Sequence, residues 1–309
     1  MRNIVYLFYA LFIMIAFFLL RTLFLQSIEI DGDIVAYLNV INGDIKEGDA
    51  FEPGSMLIFS IIGLTPVSFH FTLLFLFCFL IAITEGWFVI KKCKLPIFWL
   101  AFFTIGILPF AHAINLRTGF GIFLLLCFTF FRQGIGIFFL PLFHSSLTPI
   151  LLGWKNRFGK FTTYIVILIS LVGVLVLYKI ASAKLVVYYS YLNFDLSFLG
   201  ILAELVTLAA FYYFFRKVYQ ITKGSWTKVY YIFMVAAFLT LPMAMVSTRI
   251  VTFTYVVLLL LAFDAQLKPL SKNNFLHMFN LFFFISLGLV LIIFRIYRVT
   301  TMFGILPPI

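Results

Sequence analysis

The chain has 309 residues, 64% of them hydrophobic and 20% aromatic, with 22 Lys and Arg against 11 Asp and Glu for a formal charge of +11. A mean hydropathy of +1.16 excludes an ordinary soluble domain, and the basic residues sit in short clusters between apolar runs, so the charge reads as a determinant of membrane topology and not as a nucleic-acid surface. The three cysteines, Cys78, Cys93 and Cys127, are scattered, two of them inside apolar runs, and offer neither a disulfide framework nor a metal-ligand spacing.

Taken in chain order, the apolar runs are long enough to cross a hydrocarbon core of ~30 Å as helices. Asn3 to Leu20, behind Arg2, resembles a signal peptide but has no A-x-A-like cleavage site ahead of the acidic segment, and reads as a retained anchor. Seven of the eleven acidic residues then fall between Glu29 and Glu52 (Glu29, Asp31, Asp33, Asp44, Glu47, Asp49, Glu52). The clusters Lys91/Lys92/Lys94, Lys155/Arg157/Lys160, Arg216/Lys217/Lys223/Lys228 and Lys268/Lys272 mark the cytoplasmic side. The acidic loop, residues 21–54, is therefore external. Two full crossings between Glu52 and Lys91 would put the lysine cluster outside, so Val67–Ile90 is predicted as a span and Ser55–Leu64 as a short external or re-entrant helix.

Leu95–Phe110 returns outward and Gly119–Phe131 runs back in. Gly134–Gly153 is too short for two crossings and carries Pro141, His144, Ser145, Ser146 and Pro149 in its middle, which predicts a broken helical hairpin. Irregular backbone at membrane depth is tolerated only where protein or a wet cavity satisfies its polar groups, so the hairpin points to a site. Further spans are predicted at Thr162–Leu177, Leu196–Phe215, Val229–Val246, Ile250–Phe263 and Phe275–Phe294. The expected fold is one all-α, polytopic membrane bundle over residues 1–309, with about nine full spans plus the re-entrant hairpin. Asp31, Asp33, Tyr37, Glu52, His112, Arg117, His144 and Arg249 then converge on the outer face.

Arg117 lies at the outer start of a span, in Leu116–Arg–Thr–Gly–Phe–Gly121, where a guanidinium can snorkel to headgroups or bind an anion. Gly119 and Gly121 allow close backbone approach at a helix start that itself favours anions, and phosphate is the natural ligand. Arg249 sits between two apolar runs with a short connection, where headgroup contact is an equal explanation. Asp33 and Tyr37 are four residues apart and share a face of a short helix. Asp33 and Glu52, the latter ahead of Pro53 and Gly54, both suit helix capping, which is the expected role on spacing alone. His144 with Ser145 and Ser146 is no catalytic triad and no G-x-S-x-G elbow. His70 and His112 read as interfacial polar residues. No ligand cluster suggests a metal, and no cofactor motif is present.

Read in order, Asp33-x-x-x-Tyr37, Phe51–Glu52–Pro53–Gly54, Leu116–Arg117–Thr118–Gly119–Phe120–Gly121 and Phe143–His144–Ser145–Ser146 resemble the motif series of the EpsG-like, Wzy-type polysaccharide polymerase family. The resemblance covers the first half of the chain; the second half agrees in hydropathy, with Arg249 as a further candidate. Thr118 and Gly121 stand where that family usually shows a glutamine and an alanine, and a serine directly follows His144.

The resemblance implies a metal-independent, GT-C-like membrane glycosyltransferase in a bacterial cytoplasmic membrane, working on the periplasmic or external side. Such an enzyme transfers a growing glycan from its polyprenyl diphosphate carrier to the next lipid-linked oligosaccharide repeat. Membrane lipid, a flippase and a chain-length regulator would be its neighbours, and nucleic acid would not. By the same resemblance Arg117 binds the diphosphate and Arg249 is a second clamp. Asp33 or His144 takes or orients the acceptor's proton, Glu52 and Ser146 contact sugar hydroxyls, and Tyr37 stacks on a pyranose or packs the loop. The rival functions are a flippase or other transporter of lipid-linked oligosaccharides and a polysaccharide ligase. A transporter more often carries ionisable groups at mid-membrane, whereas the predicted spans here are bare apart from Glu204 and Glu85.

Overall fold

Glycine and proline set the limits of the first two helices. In the computed structural model, which describes residues 32–43, 51–70, 116–130, 136–153, 196–219 and 225–264 with positions 4, 11, 72, 73, 76, 80 and 286, α1 runs Gly32–Asn42 and α2 runs Pro53–Gly63. α1 stops at Gly43, whose φ of 84° only a residue without a Cβ adopts freely. α2 starts with Pro53 in its first turn, where the missing N–H has no helical partner to lose.

Tyr37, Val40 and Ile41 on α1 meet Phe59 and Ile62 on α2, with Phe51 between them, in a small apolar cluster. Tyr37 stacks on Phe59 with ring centroids 4.9 Å apart, and Phe51 meets Phe59 edge-on at 5.6 Å. The two helices touch so closely that a Cβ on Gly63 would lie 2.7 Å from the Ile41 carbonyl oxygen. His70 is buried and closes this unit, reaching the Asn42 side chain at 2.7 Å and the Thr65 carbonyl at 2.8 Å. It is a clamp between α1 and the end of α2, not the interfacial residue expected from sequence.

α3 spans Leu116–Phe130. The segment predicted as a broken hairpin is broken: a 3-10 turn at Gly136–Leu142, an extended His144, a second 3-10 turn at Ser145–Leu147 and the short α4 at Pro149–Gly153. Pro141 and Pro149 supply no amide hydrogen for a continuous helix. Beyond these lie α5 at Leu196–Tyr219, α6 at Ser225–Leu239 and α7 at Ala244–Asp264. The predicted boundary at residues 246–250 is corrected: the chain turns at residues 240–243, around Pro242, and Arg249 stands inside the second turn of α7 and not in a connection.

The larger core joins α3, the broken segment, α5, α6 and α7. α7 is its axis, since every residue from Ile250 to Leu258 is buried, the hydroxyls of Thr252 and Thr254 being turned back onto carbonyls of their own helix. A helix apolar all round belongs inside a bundle. Tyr230 Oη donates to the Leu208 carbonyl at 2.8 Å and Ser247 Oγ to the Ala237 carbonyl at 2.9 Å, pinning α6 to α5 and α7 to α6.

The described secondary structure is all helical, with no strand among the described residues. Among those residues no helix is long and apolar enough to cross a membrane. Apart from the single positions 4, 11 and 286, the predicted anchor and the spans at Leu95–Phe110, Thr162–Leu177 and Phe275–Phe294, with most of Val67–Ile90, lie outside the described residues, as do His112 and Glu85.

Candidate functional site

The start of α2 is shaped by two small residues. Gly54 lies under the Phe143 ring, where a Cβ would come within 2.3 Å of ring carbon, and Ser55 Oγ donates to the Phe143 carbonyl at 3.0 Å. This contact lays the broken segment across the N-terminus of α2. Glu52, at the cap position, has extended backbone (φ −60°, ψ 144°) and its carbonyl accepts from the Met56 N–H at 3.0 Å, but its side chain makes no cap hydrogen bond. The capping role expected for Glu52 is therefore corrected: the carboxylate points elsewhere.

It points at Arg117. Arg117 Nη1 and Glu52 Oε2 form an ion pair at 3.0 Å with both side chains only 5% exposed. The other carboxylate oxygen, Oε1, accepts from Ser145 N–H at 3.1 Å and from Ser145 Oγ at 2.9 Å. Arg117 Nε donates to Tyr37 Oη at 3.2 Å, and the guanidinium carbon stands 4.6 Å from the Phe51 ring centroid. The cation thus has a carboxylate on one edge, a phenol on another and an aromatic face against it, which fixes it more narrowly than a snorkelling side chain is fixed. The pair is buried, and charges taken out of water are tolerated only when so closely answered.

His144 is the second node. Its Nδ1 accepts from the Ser146 backbone N–H at 3.2 Å, and its Nε2 meets Thr118 Oγ1 at 3.0 Å. An amide N–H can only donate, so Nδ1 carries a lone pair and the ring hydrogen is on Nε2, directed at the threonine oxygen. The Phe253 ring from α7 closes the far side, edge-on at 5.1 Å. Gly121 admits this crowd: a Cβ there would lie 3.1 Å from Phe253, 3.2 Å from Leu147 and 3.3 Å from His144.

The structure therefore brings together Tyr37, Glu52, Arg117, His144 and Ser146, drawn from four separated segments, in one buried polar knot with Ser145 at its edge. Above it Ser145 is exposed, so the knot lies one side chain below the surface. Asp33 is in α1 four residues before Tyr37, and its side chain lies outside the described residues. Arg249 is half-buried on α7, one turn before the Phe253 that touches His144, and so on the side of α7 that faces the knot.

Sequence reasoning did not assign roles to Thr118, Ser145, Phe143 and Phe253. For Thr118, Gly121 and Ser145 a signal existed, since they depart from the motif series; Thr118 bonds His144, Gly121 leaves the room it occupies and Ser145 holds Glu52. Nothing in the sequence singles out Phe253. The knot offers one fixed cation, one fixed carboxylate, an imidazole of defined tautomer and several hydroxyls, a donor-rich set suited to an anionic, hydroxylated ligand. Among the described residues no group of three or more His, Cys, Asp or Glu is arranged to hold a metal. No protein-family model, curated protein or solved structure matches the chain.

Proposed function

We propose that the chain is a membrane glycosyltransferase that polymerises polyprenyl-diphosphate-linked oligosaccharide repeats into a bacterial surface polysaccharide, on the outer face of the cytoplasmic membrane. The observation that carries this reading is the convergence of the motif residues. Glu52 and Arg117 are 65 positions apart and Glu52 and Ser145 are 93 apart, yet they meet in one buried network. Capping, snorkelling and interfacial placement, the bland explanations of each motif alone, require no such meeting.

The membrane setting is supported by composition and by apolar surface. Leu199, Val206 and Tyr213 form an exposed stripe down α5, and Tyr231, Val235, Phe238 and Leu239 do the same on α6. Contiguous apolar surface of this kind needs a cover, and lipid is the cover that matches the hydropathy of the chain.

In this reading the departing diphosphate gathers negative charge as the bond to the sugar breaks. Arg117 stabilises that charge, and its aromatic backing and burial place the guanidinium in a dry setting where such a contact is strong. Arg249, on the near side of α7, is the candidate second clamp. Tyr37 holds the guanidinium by its hydroxyl, and Ser146 fixes His144 through its amide; Ser146 is the candidate sugar contact of the same segment. The reading needs no metal or cofactor.

A second reading is favoured by one observation: Glu204 is fully buried in α5, and an ionisable group inside a membrane helix marks transport pathways more often than lipid contacts. A flippase of lipid-linked oligosaccharides would use such a group. Deleting the gene and locating the lipid-linked material separates the two. Single repeats accumulating on the outer leaflet are expected; accumulation on the inner leaflet would replace the polymerase reading by the flippase.

A further inference from the structure

We propose that Glu52 takes the proton from the acceptor sugar's hydroxyl, and that it becomes free to do so when the donor's diphosphate displaces its carboxylate from Arg117. This rests on the glycosyl-transfer reading and names the proton acceptor within it. Three observations lead here, beginning with His144. With its hydrogen on Nε2, the ring has a single basic lone pair, on Nδ1, and that one is already engaged by the Ser146 amide. Taking one at Nδ1 would set N–H against N–H. His144 is in this arrangement a donor that orients Thr118, and so a positioning residue.

The second observation is the aim of the Glu52 carboxylate. Oε2 faces inward to Arg117, whereas Oε1 faces the exposed Ser145, whose hydroxyl donates to it at 2.9 Å. A serine hydroxyl donating to that oxygen shows the place and direction from which an acceptor hydroxyl would approach. An acceptor that replaces Ser145 Oγ delivers its proton to Oε1 along the same line.

The third observation is the ion pair itself. A carboxylate held by a guanidinium is stabilised in its ionised form and is a weak proton acceptor. A diphosphate is likewise a bidentate partner for a guanidinium and competes for the same donors. As Arg117 turns to the incoming diphosphate, Glu52 loses the partner that quiets it, so its basicity appears only when donor substrate is in place. Arg117 from α3, Tyr37 from α1 through Arg117, and His144 beside Ser145 are ionisable or charged groups around Glu52. Of these only Arg117 carries a fixed charge.

The step balances. The acceptor oxygen bonds to the anomeric carbon of the donor sugar, and the bond from that carbon to the diphosphate oxygen breaks with its electron pair. The hydroxyl proton passes to Glu52 Oε1, and the carrier diphosphate remains as an anion at Arg117. No oxidant, reductant or metal enters.

The test uses the purified full chain in lipid nanodiscs with a synthetic polyprenyl-diphosphate-linked repeat, following kcat and KM against pH. Wild type should form polymer with a rate that falls on the acid side. In Glu52→Gln, kcat should fall by about 10²- to 10⁴-fold and the acid limb should vanish, while KM for the lipid-linked repeat drops because Arg117 is no longer occupied. Glu52→Asp keeps the charge but withdraws the carboxylate by one methylene; kcat should fall at least about tenfold with the acid limb retained. An acid limb unchanged in Glu52→Gln, or a Glu52→Asp enzyme with wild-type kcat, overturns the proposal. So does loss of the limb in Asp33→Asn with its retention in Glu52→Gln, which moves the role to Asp33. If wild type itself forms no polymer, the glycosyl-transfer reading falls and this inference with it.

Discussion

At the scale of single residues the decisive feature is that Arg117 is answered on every described side by a different kind of partner: Glu52, Tyr37 and the Phe51 face. Removing its charge would leave the buried Glu52 carboxylate without its cation, a change that costs about 3–5 kcal/mol of folding free energy, so alanine confuses catalysis with stability. Lysine separates them. It keeps the charge near Glu52 but lacks the planar fork that meets two phosphate oxygens together. Arg117→Lys is expected to fold and to lose about 2–4 kcal/mol of transition-state stabilisation, roughly tens- to several-hundredfold in turnover of a purified lipid-linked repeat. Near wild-type turnover in that variant would make Arg117 a structural cation only.

Among elements, the fit of α1 against α2 decides whether Tyr37 and Phe51 reach Arg117 at all. Gly63 is where the fit is tightest, because the atom that a Cβ would strike, 2.7 Å away, is the Ile41 backbone oxygen and cannot swing aside. Gly63→Ala should push the helices apart and cost about 1–3 kcal/mol, seen as a lowered midpoint in thermal unfolding of the detergent-solubilised protein. Turnover should fall further than stability accounts for, since the Tyr37 hydroxyl leaves Arg117. Ser60→Ala, on the exposed side of α2, is the control and should change neither. An unshifted midpoint in Gly63→Ala would mean that α1 and α2 are not in register as described.

For the whole molecule the testable property is sidedness. The acidic stretch Glu29–Glu52 and the basic cluster Lys155/Arg157/Lys160 are expected on opposite faces of the membrane. After replacement of the native cysteines, single cysteines at Asp49 and Asn156 should report this, with an impermeant thiol reagent on whole cells modifying the first and sparing the second. Labelling of both, or of Asn156→Cys alone, would overturn the topology and with it the external placement of the Glu52–Arg117 knot.

Much of this was legible in the chain before any coordinates, and the division has physical causes. Helical class, the proline at the start of the second helix and the break between Pro141 and Pro149 are local matters, settled by backbone dihedrals and amide hydrogens within a few residues. Arg117, His144 and Arg249 were readable as candidates, because ionisable side chains are costly in apolar sequence and stand out there, while Asp33, Tyr37, Glu52 and Ser146 were candidates by resemblance to a motif series. What only the tertiary structure decided is which of them meet. Capping by Glu52 and a connection at Arg249 were the sound local expectations. Both failed because a carboxylate offered a buried guanidinium outcompetes its own helix terminus, and because Pro242 turns the chain earlier than hydropathy suggests. The tautomer of His144 depends on an amide two residues away folding back onto the ring, and the place of Phe253 depends on α7 running through the centre of the bundle. Those are properties of packing between distant segments, and no local pattern encodes them.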